Sequence, residues 1–117
     1  MTKVKFSTDL SAGTITMTLD GHAEHDNVCA AISAVAFACG SCIEYMFYED
    51  KLIEEPTLEA DTPGHMEIKC KPKSEYFGEA LHVYFVCQVG MHCIESEHSS
   101  DIQLHLFDIV PIEDNSK

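Results

Sequence analysis

The stretch spanning residues 27–48 carries the constraint that most limits the fold. Its apolar residues run from Val28, Ala30, Ala31 and Ile32 through Phe37, Cys39 and Ile43 to Met46 and Phe47, and they fall all around a 3.6-residue turn. A helix without a polar face is buried on several sides, and one sheet covers only one of them. A second helix, or a twin subunit, must therefore cover what one sheet leaves open. Gly40-Ser41 marks a close helix contact or a bend within this helix.

The flanking segments supply the sheet. Lys3-Val4-Lys5-Phe6 alternates polar with apolar, and Thr14-Ile15-Thr16-Met17-Thr18-Leu19 does so again after a turn at residues 9–13. Ile15, Met17 and Leu19 share one face, as expected for an antiparallel hairpin covered on one side. Beyond the first helix, Leu52, Ile53 and Leu58 read as a third strand that Pro56 pushes to a sheet edge. Asp61-Thr62-Pro63-Gly64 is a turn, and Met66, Ile68 and Cys70 alternate as a fourth strand. Ser74 is placed to cap a second helix over about 75–95, with Phe77, Leu81, Tyr84 and Met91 among its apolar residues. Ile102, Leu104 and Leu106 form a fifth strand. The order β-β-α-β-β-α-β predicts an α+β two-layer sandwich: a mostly antiparallel, mixed five-stranded sheet with two helices on one face. One domain is expected over 1–112, followed by an acidic tail at 113–117.

Charge excludes one class of function. The 117 residues carry a formal charge of −13 and no arginine, whereas a nucleic-acid binder needs a positive surface to meet phosphates. An acidic surface attracts a basic partner, although most of these carboxylates do no more than keep a domain soluble. Lys3 and Lys5 enter directly into a strand pattern without a signal-peptide core, and no uncharged apolar run reaches a membrane-spanning length. A cytoplasmic protein without a membrane partner is the expectation. The six cysteines at 29, 39, 42, 70, 87 and 93 then read as free thiols, most of them inside apolar runs.

Cys29 differs from the rest because Asp26 and Asn27 lead into it. Asp26 is a good N-cap, which places Cys29 near the third helical position. A helix start carries free N–H groups and partial positive charge, and a cysteine there tends toward the nucleophilic thiolate. His22 ends the preceding strand, seven residues earlier, close enough to serve as general base and acid. Gly21 permits a sharp turn of the backbone beside it. Ser33 lies one helical turn beyond Cys29 on the same face. The residues thus propose a nucleophilic Cys29/His22 site. Its competitors are an ordinary core cysteine and a zinc site drawn from His22, His25, Cys29, Cys39 and Cys42. Cys39 and Cys42 stand about 15 Å along the helix from its start, too far to share an ion with His22, so no metal is expected. Both read as core thiols.

The run Gly21-His22-Ala23, Asp26 and Val28-Cys29-Ala30-Ala31-Ile32-Ser33-Ala34 resembles the signature of the ribosomal-processing cysteine protease family, Prp. The element order and length are similar over most of the chain, but only residues 21–34 are specific. The resemblance implies a bacterial, cytoplasmic, homodimeric endopeptidase without a cofactor. Such an enzyme removes a short N-terminal extension from a basic large-subunit ribosomal protein precursor. It further implies Cys29 as nucleophile, His22 as base, and Asp26, Ser33 and Gly21 as supporting residues. The link Ala23, Glu24, His25 and Asn27 would belong to the family's mobile substrate flap. Here that link is several residues shorter than in typical members, and Asn27 replaces an aliphatic residue. The alternative is a dimeric binding protein that keeps the fold with little or no turnover.

Overall fold

In the computed structural model, residues 1–105 and 107–113 are described. β1 (Thr2–Asp9) and β2 (Thr14–Gly21) form the expected antiparallel hairpin, with Val4 opposite Leu19 and Phe6 opposite Met17. α1 (Asp26–Tyr48) follows, then β3 (Thr57–Glu59), β4 (His65–Cys70), a 3₁₀ turn (Ser74–Tyr76), α2 (Phe77–Glu97), β5 (Ile102–Leu104) and β6 (Asp108–Val110). The sheet order is β3-β4-β2-β1-β5, and β6 also pairs with β1. The first three pairings are antiparallel, whereas β5 and β6 run parallel to β1. The architecture is the α+β one expected, with six strands among the described residues in place of five.

The core lies between sheet and helices. Val4, Phe6, Ile15, Met17, Ile68 and Cys70 point inward from the sheet. Val28, Ile32, Ala36, Cys39, Ile43 and Met46 meet them from α1 at spacings of three and four. Ala80, Tyr84, Cys87 and Met91 do so from α2. Burying each large aliphatic side chain stabilises the fold by about 1.5–3 kcal/mol. Tyr84 is fully buried, and its hydroxyl donates to the Ile68 carbonyl at 3.1 Å, which ties α2 to β4. Gly40 fits the close-contact alternative, since a Cβ there would come within 3.3 Å of Ile68 on β4.

Several boundaries differ from expectation. Leu52 makes only an isolated bridge to Pro72, and the third strand is the short, exposed Thr57–Glu59, because Pro56 has no N–H for a ladder. Ser74 does not cap the second helix; it opens the 3₁₀ turn, and α2 begins at Phe77. The last strand divides in two. Leu104 and Phe107 pack against the core, Phe107 stacked 5.9 Å from Phe6; Leu106 lies outside the described residues. Of the expected acidic tail, residues 114–117 also lie outside them.

α1 is covered on fewer sides than its composition suggests. Phe37, Tyr45 and Tyr48 are exposed on it, as are Phe85, Val86 and Val89 on α2. α1, which carries Asp26 and Glu44, is long and apolar enough to cross a membrane by length and composition alone. In this fold its inward stripe instead packs on the sheet. All six cysteines are free. Cys39, Cys70 and Cys87 are core thiols, but Cys42 and Cys93 are exposed, so Cys42 is not the core residue expected. A hydrogen bond with Cys87 together with burial pushes the Cys39 thiol up, and burial pushes Cys70 up to about 11. Both are unreactive as nucleophiles near neutral pH.

Candidate active site

β2 ends at Gly21, whose φ of +98° turns the chain out of the sheet. A Cβ at this position would collide with the Met1 carbonyl, so only glycine lets the chain start pass here. His22 follows, and its carbonyl accepts from the Met1 amine at 2.6 Å. Four residues later the chain enters α1. Cys29 is half-buried in the first turn, and its thiol faces back toward the loop, donating to the Ala23 carbonyl at 3.6 Å.

Gly21, His22, Cys29 and Ser33 all line one open cavity of about 270 Å³. Ile32 and Phe37 from α1, Thr2 from β1, and the segment from Thr62 to Met66 also line it. The tip of the His22 ring rests on Gly64. Among the described residues, no hydrogen bond joins His22 to Cys29. Such bonds are commonly loose until substrate binds.

The expected N-cap is corrected by the structure. His25, not Asp26, is the N-cap residue of α1, and no side-chain bond caps the helix. The His25 carbonyl accepts the N–H groups of Val28 and Cys29, both at 3.1 Å. Asp26 is the first helical residue, where its charge faces the positive end of the dipole. Cys29 is therefore the fourth helical residue, not the third. Asp26, Asn27, Glu24 and His25 do not line the cavity; Ala23 joins it only through its bond to the thiol.

Two groups escaped sequence reasoning. His65 lines the cavity from β4, with its Nδ1 held 2.6 Å from the Asp20 carboxylate across the β2–β4 ladder. The hydrogen bond that the imidazole makes to the Asp20 carboxylate raises the His65 pKa above its ordinary value. The only available signal was its place directly after the Pro63-Gly64 turn. The second is Asp101, just before β5. Its carboxylate is 1% exposed and takes hydrogen bonds from the loop between His22 and Cys29. Burial alone would raise the Asp101 pKa. The bonds from the His25 imidazole and from the Glu24 and His25 N–H groups outweigh that and lower it below the ordinary carboxylate value. The same imidazole–carboxylate bond raises His25. Glu24, His25 and Asp101 also bring three potential metal ligands within 4.8 Å of one another. However, both Asp101 oxygens and the His25 Nδ1 are already engaged in these bonds.

A half-buried thiol at a helix start and an imidazole at a strand end thus share one groove. The family model of cysteine protease Prp matches residues 1–105, and the chain belongs to that cysteine protease family. A crystal structure of the essential ribosomal processing protease Prp from S. aureus, in complex with a covalently linked product peptide, is 28% identical with a TM-score of 0.67. The match covers 92% of this chain and 99% of that one. A second S. aureus Prp structure, in complex with a substrate peptide, is 25% identical with a TM-score of 0.64 over the same shares. SMU.848 from Streptococcus mutans shares the fold, with a TM-score of 0.66 at 15% identity over 93% of this chain and 95% of that one. No curated protein matches the sequence.

Proposed function

We propose that this chain is an endopeptidase that removes a short N-terminal extension from a ribosomal large-subunit protein precursor, using Cys29 as nucleophile and His22 as general base. The supporting observation is that both side chains line one open cavity at the β2–α1 junction. Cys29 sulfur attacks the scissile carbonyl as His22 takes the thiol proton. The tetrahedral oxyanion forms beside the positive end of the α1 dipole, which favours negative charge there. The C–N bond then breaks, and His22 returns the proton to the leaving amine. Water, deprotonated by His22, hydrolyses the thioester and restores the thiol. Ser33 shapes the cavity one turn beyond Cys29, and Asp26 adds negative charge at the helix start.

The S. aureus neighbours bound to product and substrate peptides favour a peptide substrate, and a basic ribosomal precursor suits a chain of charge −13. The chain acts in the cytoplasm as a homodimer. Exposed Phe37 and Tyr45 on α1, with Phe85 and Val86 on α2, offer the apolar surface that a twin subunit would cover. The test incubates the protein and its Cys29→Ala variant with the host's ribosomal precursor and reads the precursor's N-terminus by mass spectrometry. Trimming by the parent alone is expected. An intact precursor, under conditions where the S. aureus protease cuts its own substrate, would leave a binding protein without turnover.

A further inference from the structure

We propose that Asp101 is a positioning residue of the active-site loop, a buried anchor that fixes the segment carrying Cys29 relative to His22. The inference rests on the Cys29/His22 reading above. A buried carboxylate is costly unless its oxygens are satisfied, and here both are. Oδ1 accepts the N–H of Glu24 at 2.7 Å and of His25 at 3.3 Å, and Oδ2 lies 2.9 Å from His25 Nδ1. All three bonds span 76 or 77 residues of sequence and land between the two site residues.

The anchor is itself held. The Asp101 carbonyl accepts the Thr2 N–H at 2.8 Å, and the Asp101 N–H donates to the His98 carbonyl at 2.9 Å. Asp101 is thereby set between the start of β1 and the end of α2, at the edge of the core. From the loop the bonds continue to the thiol. The His25 carbonyl accepts the Cys29 N–H, and the Ala23 carbonyl accepts the Cys29 Sγ–H. The unbroken path runs from the sheet through Asp101 and the 23–25 backbone to Cys29. A loop without this anchor would sample other conformations, and a displacement of about 1 Å at a nucleophile can cost on the order of a hundredfold in rate.

The test follows alkylation of each cysteine by iodoacetamide, resolved by peptide mass spectrometry, below the thermal midpoint of every variant. Exposed Cys42 and Cys93 are internal references. Asp101→Ala is expected to slow Cys29 alkylation about tenfold or more without changing the references. Asp101→Asn restores most of the rate, because its amide oxygen still accepts the two loop N–H groups. On a precursor that the parent trims, Asp101→Ala lowers kcat and leaves KM nearly unchanged. His25→Ala, which removes the Oδ2 partner but leaves both loop N–H bonds to Oδ1, slows Cys29 a few-fold and serves if Asp101→Ala does not fold. A folded Asp101→Ala with parental Cys29 reactivity, or an unaffected His25→Ala in its place, overturns the role of Asp101 alone. A parent whose Cys29 reacts no faster than the references, and is unmoved by His22→Ala, overturns the dyad and this anchor together.

Discussion

A Cβ on Gly64 would stand 2.7 Å from Nε2 of His22, so the imidazole rests on backbone that only glycine leaves open. Gly64 also has φ +78°, a conformation that costs a residue with a side chain about 1–3 kcal/mol. Gly64→Ala therefore both strains the turn and pushes the ring out of place. We expect precursor trimming to fall about a hundredfold, with a lower thermal midpoint. Unchanged trimming would mean that the His22 position seen here is not the working one.

On the proposed reading, Cys29 serves the chemistry more than the fold. Its thiol is half-buried and makes one weak bond, to Ala23. Cys29→Ala should shift denaturation by less than about 1 kcal/mol while reducing trimming by about a thousandfold or more. Cys39→Ala, in the core, should do the reverse. Denaturant melts of the two variants, set beside mass-spectrometric cleavage assays, separate the two roles.

The His25–Asp101 bond makes stability depend on pH with a definite sign. His25 is raised above 6.5 in the fold, so its contribution is complete below 6.5 and is lost as pH climbs through the raised value. Asp101 is lowered below 3.8, so its contribution is complete above 3.8 and is lost as pH falls through the lowered value. The pair supports the fold most between these limits. Thermal midpoints measured across pH should show His25→Ala flattening the alkaline decline of the parent. An identical decline in the two proteins would assign it to other groups.

The α2–β4 contact should be worth about as much as one buried hydrogen bond. Tyr84→Phe keeps the ring and leaves the Ile68 carbonyl without its hydroxyl donor, at an expected cost of about 1–2 kcal/mol. Ile43→Ala opens a cavity in a fully buried site and should cost about 2–5 kcal/mol. Urea denaturation provides both values, and a Tyr84→Phe variant as stable as the parent would remove that bond from the account.

Local pattern made most elements legible. Alternation at Val4, Phe6, Ile15 and Met17 specifies which face of the hairpin is buried, because strand side chains alternate strictly. The apolar run from Val28 to Met46, interrupted by Glu44, reads as a buried helix because its apolar residues fall all around the turn. Boundaries were less legible where two local choices are close in energy. Ser74 can cap a helix or open a 3₁₀ turn, and the strand near Ile102 can continue or break. Packing of Tyr76, Phe77 and Phe107 against the core accompanies the outcome in both places.

The Gly21-His22 and Cys29 motif lies within a few residues of chain, so the family and the sharing of one cavity by these residues could be read locally. Asp101 and His65 could not be read in that way. A carboxylate 76 residues from the loop it holds, or a histidine aligned with Asp20 only by strand register, has no local signature. Residue identity determined which groups can react and which faces seek burial. Only the folded chain decided what holds those groups in place, because long-range hydrogen bonds depend on register and closure rather than on neighbours in sequence.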